Sequence, residues 1–69
     1  MIEIFKTNVV EIFDAQKIIA LLHENFTTYK INFDLHDCDK ILRLEGESIP
    51  VAKVIGVVNE NGFTCSLLD

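Results

Sequence analysis

The side chains best suited to chemistry in this 69-residue chain crowd into one short run, His36, Asp37, Cys38 and Asp39. A thiolate and an imidazole are good ligands for zinc or copper, and flanking carboxylates can complete a donor set. The same run has a plainer reading. It breaks two alternating apolar segments, and Asp, His, Cys and Lys40 favour turns because such residues bond their own backbone. A solvated turn is therefore the expectation, with no metal or cofactor. Copper or zinc held by His36, Cys38, Asp37 and Asp39 is the alternative. Elsewhere the reactive side chains are isolated. Cys65 and His23 lie far from the run in sequence, no acid converges on a base, and no enzyme activity is expected.

The run sits at the centre of a hairpin from Tyr29 to Gly46. Tyr29, Ile31, Phe33 and Leu35 alternate with Lys30, Asn32 and Asp34, the period of a strand with one face buried and one wet. Leu42 and Leu44 resume the alternation after the turn. Ahead of it, Met1 to Lys6 predicts a first strand with Ile2 and Ile4 on one side and Glu3 and Phe5 on the other. Asn8 and Glu11 have the spacing of a capping box. Ile12, Ala15, Ile19, Leu22 and Phe26, widened by Ile18, form the apolar stripe of a helix that ends near Phe26. Beyond the hairpin, Pro50 marks a second helix start, and Val51, Val54, Ile55 and Val58 make its stripe. Asn61 and Gly62 stop it, and Phe63, Cys65 and Leu67 alternate in a last strand.

Length and composition limit what these elements can do. Sixty-nine residues, 49% of them hydrophobic, make one folded domain spanning 1–69, with no cleft between lobes. Eleven acidic residues against six scattered basic ones leave a net charge of −5, a surface that repels nucleic acid. No apolar run is long enough for a membrane span, and no secretory signal is expected, since no basic stretch followed by an apolar one stands near Met1. The two cysteines are expected free and reduced, and the location cytoplasmic.

Strand, helix, strand, strand, helix, strand is the order of the ferredoxin-like split βαβ fold. With right-handed crossovers it predicts an α+β sandwich whose four-stranded antiparallel sheet has the order 4-1-3-2, with two helices on one face. The first loop, the hairpin turn and the Gly62 loop then share one end, and His23 faces solvent at the other. The stretches IEIF, KINFDL, ILRLEG and VVNENGF together resemble the heavy-metal-associated (HMA) domains of copper chaperones and metal-transporting ATPases. That family holds soft metal in a Met-x-Cys-x-x-Cys loop after the first strand. The matching positions here are Thr7 to Ile12, with Val9 and Ile12 where the cysteines stand. The resemblance implies the architecture, with Val9 and Ile12 packed over the core where ligands would otherwise sit.

What remains is a surface. By alternation the uncovered sheet face should show Phe5, Ile41 and Leu68 among polar neighbours, a modest apolar patch suited to a protein contact. A small cytoplasmic interaction or regulatory module is expected, with a protein partner or a weak homodimer through this patch and the unpaired edge of the last strand.

Overall fold

The computed structural model describes residues 1–68. Its elements follow the expected order: β1 (Ile2–Thr7), α1 (Ile12–Asn25), β2 (Lys30–Asp34), β3 (Ile41–Glu45), α2 (Val51–Glu60) and β4 (Cys65–Leu67). The strands form one antiparallel sheet in the order β2-β3-β1-β4, the expected 4-1-3-2 order counted from the other edge. This is the ferredoxin-like α+β arrangement.

One core joins the helices to the sheet. Ala15, Ile18 and Leu22 of α1 and Val54 and Val58 of α2 pack with Phe5, Leu42, Leu44 and Ile31. Spacings of three and four keep those helix residues on one face, and a spacing of two does the same for the strands. Helix α1 ends where the Phe26 N–H reaches back to the Leu22 carbonyl at 2.7 Å. Gly62, at φ +88°, turns the chain out of α2 in the left-handed region that a Cβ disfavours. At the far end Phe26 and Tyr29 stack, with centroids 5.4 Å apart. A Cβ on Gly46 would overlap the Tyr29 ring, so glycine lets that aromatic close the bottom of the sheet.

The register of β1 is one residue away from the expectation. Phe5 is fully buried, at 0% exposure, and lies opposite Leu42 on the helix side. Thr7 is buried with it, while Ile2, Ile4 and Lys6 take the uncovered face. The reason lies in Lys6. Burying Ile2 and Ile4 would carry the Lys6 ammonium into the core without a partner, which costs far more than leaving two isoleucines partly wet. Burying Phe5 instead puts Glu3 on the inner side only near the sheet end, where it stays half-exposed.

Two further expectations change at the start of α1. Helix α1 begins at Ile12, and Glu11 caps it in extended conformation without a side-chain bond. Asn8 therefore lies too early to cap, and no capping box forms with Glu11. Val9 is buried over the core as expected, but Ile12 stands 61% exposed. At about 100° per residue, Ile12 lies roughly 60° from Ala15 on the side opposite Ile18, and so roughly 90° from the mean inward direction of Ala15, Ile18 and Leu22.

Candidate functional site

Three loops meet at one end of the molecule, and Thr7 and Asn8 tie them together. The Thr7 N–H donates to the Asp39 carbonyl at 3.1 Å, and its hydroxyl donates to the Lys40 carbonyl at 2.6 Å. The same Oγ1 accepts the Val9 N–H at 3.2 Å. Asn8 Oδ1 accepts the Thr64 N–H at 2.8 Å. Freed from capping, Asn8 thus links the β1–α1 loop to the segment entering β4. The loops form a platform with fixed backbone, set by hydrogen bonds between groups remote in sequence.

On one side of this platform is the hairpin turn. Asp34 Oδ1 accepts the His36 N–H at 3.2 Å, and Asp37 Oδ1 accepts the Asp39 N–H at 2.9 Å. Lys40 adopts φ +49°, with its N–H on the Asp37 carbonyl at 3.0 Å and its ammonium on the Leu35 carbonyl at 3.0 Å. These are the self-bonded turns that Asp forms readily. Ligand-type atoms of Asp37, Cys38 and Asp39 lie within 4.8 Å of one another. His36 is not part of that group. The imidazole that would give the set its zinc or copper character is missing from it, and one Asp37 oxygen already serves the turn.

On the other side is an apolar corner that the sequence pattern does not mark as a site. Val10 is 63% exposed, Ile12 61% and Phe13 81%, three large apolar side chains within four residues. Phe13 points away from the core because α1 is oriented by Ala15, Ile18 and Leu22. Next to this corner a groove of about 620 Å³ runs between α1 and β2, with Ile12, Ala15, Ile19, Phe33 and Leu35 in its walls and Lys40 at its rim. A sequence signal for it exists. Val9, Val10, Ile12 and Phe13 are more apolar side chains than one loop and one helix stripe can bury, so some must face water.

The uncovered sheet face holds a different apolar patch from the expected one. Ile41 is half-buried and Leu68 exposed there, as expected, but Phe5 is replaced by Ile2 and Ile4. The Leu68 N–H donates to the Ile4 carbonyl at 2.9 Å, which sets these two residues opposite each other. The remaining candidates are apart. Cys38 is exposed in the turn, whereas Cys65 is half-buried in β4, and both are free. Burial pushes the Cys65 thiol up to about 11, so it is a protonated packing group at neutral pH. His23 lies at the opposite end, exposed, its Nε2 donating to the Tyr29 carbonyl at 3.1 Å.

Comparison with family models, with curated proteins and with solved structures found no match to this chain. The described residues contain no helix long and apolar enough to cross a membrane.

Proposed function

We propose that this chain is an HMA-like domain in which protein contact has taken the place of metal handling. On this reading it is a small cytoplasmic interaction or regulatory module and not an enzyme. The observation that supports this is the apolar corner. Val10, Ile12 and Phe13 project beside the α1–β2 groove from the end of the β1–α1 loop and the first turn of α1, the segment that overlaps the metal loop of the resembled family. Exposed apolar groups clustered beside a groove are the usual anatomy of a protein-binding hot spot, where an anchoring side chain enters a pocket and its neighbours exclude water. The partner is then a protein that inserts an aliphatic or aromatic side chain between Ile12 and Phe33.

The test uses a photo-crosslinking phenylalanine analogue at Phe13 and, as a control, at Lys53 on α2. The expected outcome is one crosslinked protein from the Phe13 site only. Once purified, that protein should bind the natural chain and bind the Ile12→Ser variant at least tenfold more weakly. Equal capture from both sites, or binding indifferent to Ile12→Ser, would remove the corner as the working surface.

A second reading rests on the proximity of Asp37, Cys38 and Asp39. In that case the hairpin turn holds zinc or copper through a non-standard site. Native mass spectrometry under reducing conditions would then find one ion per chain, lost in Cys38→Ser; no ion at micromolar metal removes this reading.

A further inference from the structure

We propose that the uncovered sheet face is where two copies of this chain meet, sheet against sheet. The surface is separate from the apolar corner, so the inference does not depend on the corner's role. This face bears an apolar patch that the core does not use. Ile2, Ile4 and Leu68 have exposures between 36% and 45%. Ile4 and Leu68 face each other across the β1–β4 pair. Ile41 opposes Lys6, one diagonal step from Ile4, so the apolar groups are contiguous across three strands.

Charge selects the occupant. The face carries Lys6, Lys30 and Arg43 against Asp34 and Glu45, as the strand registers require. Of the ten acidic and six basic side chains among residues 1–68, two and three lie here, which leaves eight acidic and three basic ones elsewhere. Two copies, each with net charge −5, therefore repel across the rest of the molecule taken as a whole, while this face carries almost no net charge of its own. The signs also alternate. Lys30 lies opposite Glu45 in the register, Arg43 reaches Glu45 at 3.9 Å, and Asp34 sits at the end of β2. A two-fold contact brings a patch onto its own copy, and a patch bearing both signs can then set cations against carboxylates. A nucleic acid or an acidic membrane would meet only one surplus cation on this face.

Size makes the contact weak. Four strands at ~4.8 Å spacing and about five residues at ~3.3 Å rise give a footprint of roughly 300 Å² in the plane of the sheet. Even with side-chain relief that falls short of the ~800 Å² per partner of a standard interface. The dimer is thus transient and populated only at high concentration. Since the acidic remainder of each copy opposes association, added salt should strengthen it as the Debye length shrinks from ~10 Å at 0.1 M to ~3 Å at 1 M.

Sedimentation equilibrium of the 69-residue chain from about 20 μM to about 2 mM tests this. The weight-average mass should climb from monomer toward dimer and climb further at higher salt. Ile4→Ser with Leu68→Ser should weaken association at least tenfold, with the fold checked by circular dichroism, while Phe13→Ser retains it. Should the double variant unfold, dilution of the natural chain followed by amide NMR gives the same answer, with shifts confined to Ile2, Ile4, Lys6, Ile41, Arg43 and Leu68. A mass that stays monomeric at 2 mM overturns the proposal. So does association that survives the face variant but is lost in Phe13→Ser, which would move the contact to the corner without removing the corner's own role.

Discussion

The uncovered sheet face and the β1–α1 corner both present apolar side chains to water, but they arise in opposite ways. On the sheet, side chains alternate strictly, so each strand must leave one set outside, and charges are interleaved with Ile2, Ile4 and Ile41. The apolar groups there are diluted, and none exceeds about half exposure. At the corner there is no alternation to obey. Helix α1 turns its Ala15, Ile18 and Leu22 line inward, and whatever precedes it falls where the rotation leaves it. Three nearly adjacent apolar side chains consequently stand out from a backbone fixed by Thr7 and Asn8. Strand alternation spaces the apolar groups on a wet face, whereas a loop and the first turn of the helix it enters carry no such spacing. This is why the more concentrated patch lies at the corner.

The largest effect expected is on the residue that separates the two sides of β1. Phe5→Ala should lose about 3–5 kcal/mol in urea unfolding, from a total of about 3–10 kcal/mol for a domain of this length. Phe13→Ala should change stability by less than about 0.5 kcal/mol. Equal losses at the two phenylalanines would break the comparison, because one of them would then be misplaced.

The fixed backbone beneath the corner is tested at Thr7. Thr7→Val keeps the shape but leaves the Lys40 carbonyl and the Val9 N–H without their partner, which should cost about 1–3 kcal/mol. Faster hydrogen exchange at Val9 should accompany the loss. A neutral result would make the corner a loose loop and not a platform.

A smaller difference should separate the two apolar patches themselves. Ile4→Ser with Leu68→Ser removes a cross-strand pair and should lower monomer stability by about 1 kcal/mol. Ile12→Ser with Phe13→Ser should stay within about 0.5 kcal/mol of the natural chain. If the corner pair proves the costlier, those side chains are packed and the corner is not a free surface.

The smallest effect concerns the thiols. Cys38, exposed, should react with a thiol reagent at pH 8 well before Cys65, which sits half-buried with its thiol pushed up to about 11. An unfolded Cys65 ionises near 9.0, so between pH 9 and 11 the unfolded chain gives up a proton that the folded one keeps. Stability should decline slightly across that window, and Cys65→Ala should remove the decline. Equal labelling rates would place Cys65 on the surface.

Much of the architecture is legible in the residues alone. The alternation from Tyr29 to Leu44, the helical spacings and the Gly62 stop are local patterns, and local geometry translates them directly into strand, helix and turn. Their order then leaves few topologies open, and the observed sheet is the one that right-handed crossovers allow. The hairpin turn could be recognised as a turn because Asp34 and Asp37 bond within two residues of themselves. What the chain order could not decide is which face of β1 enters the core, since Ile2 with Ile4 and Phe5 with Thr7 each offer a plausible inner side. That choice belongs to the tertiary structure, where an ammonium at Lys6 cannot be buried without a partner while two isoleucines can remain partly wet. The same holds for the corner. Helix spacing alone left Ile12 in the stripe, and only the packing of Ala15, Ile18 and Leu22 against the sheet set the rotation that turned Ile12 and Phe13 outward.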